Sequence, residues 1–283
     1  MATEVPEQQV PAKTIVFVDD DGFMREAIGE ILKNKGFEVR VAKDGLEGLQ
    51  LIRSLHPDYV ILDIILPKID GGRVCWLLRQ DPQLRNTPII AFSGLGPQDF
   101  RRFPELSADA YVAKGPLTIV TTNILAAIKY VDERGRGDIQ GGIFGYEGFH
   151  PRQLISEMVY LKRHYETLVR SFGAGVLEID TEGRILMANA AAANLLGKRE
   201  VRLIALSFPS LFPAKERRVI QEIIEELQKS RSGETVRVKV SLGGTELSLG
   251  FACAADEGEL TGILVTMEST HPAKETGTEG PAH

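Results

Sequence analysis

The sequence predicts two domains of different fold class. The first is an α/β doubly wound domain with a five-stranded parallel sheet. The second is an α+β domain with an antiparallel five-stranded sheet, and a helical linker joins the two. Three observations predict this arrangement: short apolar runs alternate with amphipathic stretches in the first half, a glycine-rich segment follows, and short turns separate the strand patterns of the second half.

The first domain is predicted over residues 13–132, after a flexible N-terminus of residues 1–12. Its apolar runs predict five strands, at Thr14–Val18, Phe37–Val41, Tyr59–Leu62, Pro88–Phe92 and Ala110–Ala113. Its amphipathic stretches predict helices at Arg25–Lys35, Gly45–Ser54, Arg73–Arg79 and Thr118–Val131. In doubly wound sheets of this kind, ligands bind beyond the carboxyl ends of the strands.

The connection between the domains has two predicted parts. Residues 133–150 are rich in glycine and predict a flexible linker, and residues 151–172 predict a helix. The apolar residues of this helix follow the four-three spacing of a heptad seam: Leu154, Met158, Leu161, Tyr165, Leu168 and Phe172. Because the seam is short, two interpretations stay open: a coiled-coil dimer seam, and a helix that packs against its own domain.

The second domain is predicted over residues 173–269. Two strand patterns flank a hairpin turn at Asp180–Gly183, and a short helix and a longer amphipathic helix follow. The last strand patterns are Val236–Leu242, Glu246–Ala254 and Leu260–Met267. Residues 270–283 are rich in Thr, Gly, Pro and Glu and predict a disordered tail.

The composition argues against several classes of protein. The net charge is −6 and both halves are slightly acidic, which disfavours direct binding to nucleic acid. No apolar run reaches the roughly 18 residues of a bilayer span, and the first ten residues lack the apolar core of a secretory signal. The two cysteines, Cys75 and Cys253, have no metal-binding spacing. We expect a cytoplasmic protein without a membrane partner.

Polar side chains follow four strands of the predicted parallel sheet. Asp19–Asp21 follow the first strand, Asp63 the third, Ser93 the fourth and Lys114 the fifth. These groups should converge at the carboxyl edge, where crowded carboxylates require a cation and Mg²⁺ is the simplest candidate. Acids, a metal ion, a hydroxyl and an amine around one point are suited to phosphoryl transfer.

Residues 13–132 resemble the receiver domain of two-component response regulators, which has a flavodoxin-like fold. The residues that carry the resemblance are Asp19-Asp20, Leu62–Pro67 with Asp70-Gly71, Ser93-Gly94, and Tyr111–Lys114. The order and spacing of these motifs suit the family over about 120 residues.

The resemblance implies a role for each motif residue. Asp63 would accept a phosphoryl group from a phosphohistidine on a partner histidine kinase. Mg²⁺ would be held by Asp19, Asp20, Asp63 and the backbone carbonyl of Ile65. Ser93 and Lys114 would contact the phosphoryl oxygens, and Tyr111 and Ser93 would be the switch residues. The protein would then be no enzyme beyond its own phosphorylation and dephosphorylation.

The sequence departs from the family pattern at two places. Gly115 separates Lys114 from Pro116, where the family usually has proline directly after the lysine. The stretch Pro97–Pro104 predicts a short or irregular fourth helix, because proline does not fit a helix interior. In addition, the apolar Ile65 and Leu95 flank the site and cannot orient water, so we expect slow autodephosphorylation.

Residues 165–269 resemble a PAS sensor domain, mainly over Gly175–Asn189. The resemblance implies ligand sensing, dimerisation or signal relay. No histidine lies between His164 and His271, and Cys253 falls in a strand pattern, so neither haem nor photoactive flavin is expected. Asn189 is predicted to cap the following helix, with a place in a ligand pocket as the alternative.

Together these patterns predict a signalling adaptor. The receiver would pass its phosphorylation state through the linker helix and PAS domain to a homodimer or a downstream protein partner. One alternative is a phosphorelay shuttle or phosphate sink without conformational output, and another is a PAS ligand sensor that gates phosphorylation. A third is a haloacid-dehalogenase-type phosphohydrolase, because Asp19–Gly22 fits its DxDG pattern with Asp19 as nucleophile.

Overall fold

The computed structural model describes residues 12–94, 107–134, 142–145, 161, 164–230, 234–256 and 259–270. The chain divides into two compact units, residues 1–163 and 164–283. The first unit holds a six-stranded sheet and the second a five-stranded sheet. Each unit therefore has its own sheet.

Helices and strands alternate along the first unit. Its strands are β1 (Thr14–Val18), β2 (Glu38–Ala42), β3 (Tyr59–Asp63), β4 (Ile89–Ser93), β5 (Ala110–Ala113) and β6 (Ile143–Phe144). Its helices are α1 (Gly22–Asn34), α2 (Gly45–Leu55), α3 (Gly71–Gln80) and α4 (Leu117–Arg134). The predicted irregular helix at Pro97–Pro104 lies outside the described residues.

The sheet is parallel throughout, in the order β2-β1-β3-β4-β5-β6. Every side chain of β3, β4 and β5 is buried, as expected for strands covered on both faces. The register pairs Asp63 with Phe92, and Ser93 with Ala113. The carboxyl ends of these strands therefore lie at one edge of the sheet.

The sheet has one strand more than the five that the sequence predicts. Strand β6 has two residues, pairs with β5, and lies within the predicted flexible linker of residues 133–150. Helix α4 also extends to Arg134, inside the same range. A two-residue strand between glycines has no alternation to detect, which is why the sequence pattern missed it.

The second unit begins with helical residues 164–171, here called α5. The strands that follow are β7 (Gly175–Ile179), β8 (Ile185–Ala188), β9 (Val236–Leu242), β10 (Thr245–Asp256) and β11 (Glu259–Ser269). The other helices are α6 (Ala190–Leu195), α7 (Glu200–Leu203), a 3₁₀ turn (Phe208–Leu211) and α8 (Ala214–Ser230).

The sheet of the second unit is antiparallel, in the order β8-β7-β11-β10-β9, and confirms the predicted fold class. Its core contains the ring cluster of Phe208, Phe212 and Phe251, in which the Phe208 centroid lies 5.2 Å from that of Phe212 and 6.2 Å from that of Phe251. Helix α8 contributes one apolar face: Ile220, Ile223, Ile224 and Leu227. The core therefore consists of aliphatic and aromatic side chains.

The described part of the predicted linker helix has an exposed apolar side. Leu161, Tyr165, Leu168 and Phe172 are 69%, 59%, 49% and 60% exposed, whereas Val169 is buried. Leu154 and Met158 of the predicted seam lie outside the described residues, as do residues 1–11 and 271–283. In the described part of the chain, no helix is both long and apolar enough to cross a bilayer.

Candidate metal and phosphoryl site

Three acidic residues and one lysine lie together at the carboxyl edge of the parallel sheet. Lys114 Nζ is 2.6 Å from Asp63 Oδ2 and 2.9 Å from Asp19 Oδ2. Carboxylate oxygens of Asp19, Asp20 and Asp63 lie within 4.8 Å of one another. Four of the predicted site residues, from three separate strand ends, are thus brought to one point.

Asp19 is held by its own loop. Its Oδ1 accepts a hydrogen bond from the Asp21 amide at 2.9 Å, and its carbonyl accepts one from Arg25 Nη1 at 2.6 Å. Asp21 has a different role. Its carboxylate accepts hydrogen bonds from the amides of Phe23 and Met24 and caps the N-terminus of α1. Asp20 remains exposed. The three consecutive acids therefore differ in environment and in function.

Asp63 is nearly enclosed, with 3% of its surface exposed. Its Oδ1 accepts a hydrogen bond from the Ile65 amide at 3.1 Å, and its Oδ2 accepts the one from Lys114. One oxygen is thus fixed by the loop after β3 and the other by the residue after β5. This orients the carboxylate towards the cluster.

The backbone and side chain of Lys114 are both fixed at the edge of the sheet. The Lys114 amide donates to the Ser93 carbonyl at 3.0 Å, and Nζ lies 5.2 Å from the centroid of the Phe92 ring. The side chain crosses the end of β4 to reach the carboxylates, despite the glycine that follows it at 115. The glycine at position 115, where the family usually has proline, therefore does not prevent Lys114 from contacting both Asp19 and Asp63.

Burial shifts the acids of the cluster towards their neutral forms. Burial raises the pKa of Asp63 from 3.8 to about 6, although the Lys114 charge opposes the rise. Burial also raises the pKa of Asp19. Burial alone would lower the pKa of Lys114, but the charges of Asp63 and Asp19 outweigh it and raise that pKa. One ammonium group therefore compensates the buried carboxylates only in part.

The acidic cluster fits a hard divalent cation. Asp19 Oδ2 is buried, and its contact with Lys114 is ionic without hydrogen-bond alignment, so this oxygen has no hydrogen-bond partner among the described residues. Oxygen ligands from a few carboxylates are what Mg²⁺ prefers. Asp19, Asp20 and Asp63 are accordingly the residues that could hold it.

The other predicted site residues lie at or near the same edge. Ser93 ends β4 and is fully buried, and Ile65 lies two residues after Asp63 with 38% of its surface exposed. Tyr111, on β5, is 2% exposed, and burial raises its pKa. Leu95, the second apolar flank, lies outside the described residues.

Sequence reasoning missed an ion pair that holds the loop after β3. Lys68 has a left-handed backbone, with φ of 63°, and its Nζ lies 2.7 Å from Oδ2 of the buried Asp44 at the start of α2. The pair ties the loop that begins at Asp63 to a neighbouring helix. The residues are 24 positions apart, and no local pattern signals such a contact.

In the second unit, Asn189 caps α6 as predicted and also forms hydrogen bonds outside that helix. Its Oδ1 accepts hydrogen bonds from the amides of Ala192 and Val176, both at 2.9 Å. Its Nδ2 donates to backbone carbonyls of the segment that ends α5: Val169, Phe172 and Ala174. The cap prediction is confirmed, and the tie to α5 is a feature that the sequence did not reveal.

Comparison with known proteins matches both units. The response regulator receiver domain family matches residues 15–128, and the PAS fold family matches residues 163–269. Polar-differentiation response regulator DivK of Brucella ovis is 31% identical over 108 residues, which cover 38% of this chain and 87% of DivK. The Synechocystis protein RpaA, a DNA-binding dual master transcriptional regulator, is 36% identical over 101 residues.

The match to RpaA covers 35% of this chain and 42% of RpaA, so the chain spans less than half of that relative. Among solved structures, response regulator TrrA of Thermotoga maritima, in complex with Mg²⁺-BeF, is 29% identical with a TM-score of 0.38. That match covers 42% of this chain and 98% of TrrA. By the family matches and the identity to DivK, the chain belongs to the response regulator receiver family and carries a PAS fold in its second half.

Proposed function

We propose that this protein is a phosphorylation-controlled response regulator that accepts a phosphoryl group from a histidine kinase on Asp63. The observation that carries the proposal is the position of Lys114 Nζ, 2.6 Å from Asp63 and 2.9 Å from Asp19. The acids and the lysine come from three separate strand ends. Acidic residues that merely lie in solvent at the edge of a sheet would not hold an amine between two buried carboxylates.

In the proposed reaction, a carboxylate oxygen of Asp63 attacks the phosphorus atom of a phosphohistidine. The P–N bond breaks, and the imidazole leaves with the electron pair and takes up a proton. Lys114 pairs with the transferred oxygens, and the Ile65 amide holds the second carboxylate oxygen. Asp19, Asp20 and Asp63, together with the Ile65 carbonyl, would hold Mg²⁺, which would supply positive charge to neutralise the phosphoryl oxygens.

The surface beside Asp63 supports a protein as the phosphoryl donor. Phe23 at the start of α1 is 67% exposed, and Ile65 is 38% exposed. Both residues follow acids of the cluster closely in the sequence, so a protein that reaches the site could bury their apolar side chains. A kinase surface that covers them would also exclude water from the site.

The hydrolase alternative has weaker support. A haloacid-dehalogenase-type enzyme would use Asp19 as nucleophile, in a DxDG pattern that also contains Asp21. In this protein, Asp21 is engaged as the N-cap of α1, and Asp19 is fully buried. Asp63 would also have no role. The geometry therefore favours Asp63 as the acceptor.

We further propose that the state of the receiver is relayed through α5 and the PAS fold to a second copy of the chain. The exposed side of the linker helix supports the dimer seam over a helix packed on its own domain, because Leu161, Tyr165, Leu168 and Phe172 are all at least 49% exposed. Both halves of the chain carry a slight negative charge, which favours a protein partner over nucleic acid because nucleic acid is itself negatively charged. The shuttle or phosphate-sink alternative would need no such seam.

The first experiment tests the acceptor. The protein is incubated with a small phosphodonor and Mg²⁺, and incorporation is measured for wild type, Asp63→Asn and Asp21→Asn. We expect Asp63→Asn to abolish labelling and Asp21→Asn to retain it, since asparagine still caps α1. Asp19→Asn is measured in the same series, and labelling that survives in Asp63→Asn but disappears in Asp19→Asn would instead support the hydrolase.

The second experiment tests the output. Molar mass in solution is measured with and without beryllofluoride and Mg²⁺, for wild type, Leu168→Glu and Thr167→Glu. We expect the ligand to increase the dimer fraction of wild type and of Thr167→Glu, and Leu168→Glu to stay monomeric. A mass that does not respond in a protein labelled at Asp63 would favour the shuttle.

A further inference from the structure

The short strand β6 occupies an edge of the receiver sheet. Ile143 and Phe144 pair in parallel with Tyr111 and Val112 of β5, and the Tyr111 amide donates to the Gly142 carbonyl at 2.6 Å. These residues lie in the segment between the receiver and the PAS fold. The chain therefore satisfies the edge of β5 with a piece of its own interdomain connection.

Helix α4 completes the surface on which residues 142–145 lie. The rings of Tyr130 and Phe144 meet edge to face, with centroids 5.8 Å apart. A Cβ at position 142 would lie 3.0 Å from both the Asp109 carbonyl and the Tyr130 ring. Gly145 has a φ of +78°, and a Cβ there would collide with the Asn123 side chain. Glycine at both positions lets the segment approach closely.

The docked segment also leaves one polar group uncompensated. Asn123 Nδ2 is buried beside Gly145 and has no acceptor among the residues that the structure describes. A buried donor without a partner destabilises the arrangement that buries it. Undocking would return this group to water, so its burial weakens the docked state.

The same strand connects the docked segment to the candidate phosphoryl site. Tyr111 pairs with Ile143, and Lys114 follows β5 directly and reaches Asp63. A phosphoryl group on Asp63 would add oxygens beyond the carboxylate, and these would attract the Lys114 amine at the end of β5. Strand β6 contacts both β5 and the helix α4, so a shift of the end of β5 relative to α4 would disturb its docking.

We propose that the edge of β5, together with Asn123 and Tyr130, is a docking surface for residues 142–145, occupied when Asp63 is unmodified and vacated when it is phosphorylated. This inference rests on the proposed role of Asp63. It gives the segment between the domains a direct connection to the site: release of β6 frees the start of that segment, and docking restrains it.

Amide hydrogen exchange at Tyr111 tests the docking, because the acceptor of this amide is the carbonyl of Gly142. Exchange is measured by NMR on the full chain for wild type, Phe144→Ala, Gly145→Val and the control Gly173→Ala, whose added Cβ meets nothing within 4 Å. We expect exchange at Tyr111 to rise roughly tenfold in the first two variants, the effect of one lost hydrogen bond, and to stay at the wild-type rate in the control. Unchanged exchange in both Phe144→Ala and Gly145→Val would overturn the docking.

The switch is tested by adding beryllofluoride and Mg²⁺ to wild type, with binding followed independently by ¹⁹F NMR. Faster exchange at Tyr111 on binding supports release of β6. Bound beryllofluoride with unchanged or slower exchange overturns the release and leaves the role of Asp63 intact. A protein that binds no beryllofluoride overturns both the proposed function and the switch, while the variant series still reports on the docking itself.

Discussion

Lys114 Nζ lies 2.6 Å from Asp63 Oδ2, and this contact joins the residue after β5 to the end of β3. The same amine also contacts Asp19, so one positive charge serves two buried carboxylates. The site is therefore short of positive charge when it holds only its own residues. A divalent cation would complete it.

The charge deficit predicts that Asp63 destabilises the metal-free protein at neutral pH. Its pKa is raised from 3.8 to about 6, so between these values the folded protein keeps a proton that the unfolded chain releases. The contribution of Asp63 protonation to the free energy of unfolding is fully present below pH 3.8 and is lost as the pH rises through about 6. Asp63→Asn, which does not titrate, should be more stable than wild type at pH 7.5 by up to about 3 kcal/mol.

Urea unfolding in the presence of a chelator measures this difference between pH 4 and 8. We expect the advantage of Asp63→Asn to shrink as the pH falls and to vanish near pH 4. Asp21→Asn, which removes a carboxylate at an exposed helix cap, is measured beside it for comparison. A difference that stays constant across the range would contradict the raised pKa.

Removal of the amine should have the opposite effect. Lys114→Met leaves Asp19 and Asp63 without a cationic neighbour, and we expect a loss of about 3 kcal/mol at pH 7.5, as is typical when a buried pair loses one partner. Mg²⁺ should stabilise this variant more than wild type. The matched control is Lys129→Met, whose lysine is 76% exposed and lies 3.7 Å from Glu133. Equal losses in the two variants, measured by urea unfolding, would argue against a special role for Lys114.

The metal assignment predicts different effects for two adjacent acids. Asp20→Asn should weaken Mg²⁺ binding by at least about tenfold, because the loss of a ligand should cost no less than the loss of a group that only hydrogen-bonds to a ligand. Asp21→Asn should leave the affinity unchanged, because its side chain caps α1. Titration calorimetry provides both values. If Asp21→Asn binds Mg²⁺ more weakly than Asp20→Asn does, the proposed set of metal ligands is wrong.

Asn189 should be a main support of the PAS fold. Asn189→Ala removes two accepted hydrogen bonds and three donated contacts, and we expect a loss of about 2 kcal/mol or more in the free energy of unfolding. Asn189→Asp keeps the acceptors but loses the donor to the carbonyls that end α5, so it should loosen α5 while it retains the cap. Asn194→Ala, at an exposed position of the same helix, is the control. Amide exchange in residues 164–172 separates the two effects.

The sequence was sufficient for the elements that position the site. The acids and the amine were predictable because they follow buried apolar runs, and parallel strands bring their carboxyl ends to one edge. The heptad spacing likewise predicted which residues of the linker helix share a side, and the four that the structure describes are exposed. Periodicity and strand ends are local signals.

Other contacts had no local signal. Lys13, Tyr59 and Asp132 form a hydrogen-bonded group that joins the residue before β1 to β3 and α4, and its successive partners differ by 46 and 73 in residue number. The Lys68–Asp44 pair and the tie from Asn189 to α5 are of the same kind. Strand β6 was missed for a different reason, because two residues between glycines are too few to show alternation.

Peptide mapping of the phosphorylated protein tests the central claim most directly. The protein is treated with a phosphodonor and Mg²⁺, the acyl phosphate is reduced with borohydride, and the modified residue is located by mass spectrometry. The account predicts conversion of residue 63 to homoserine, with Asp19, Asp20 and Asp21 unchanged. Homoserine at position 19, or at no aspartate of the cluster, would contradict it.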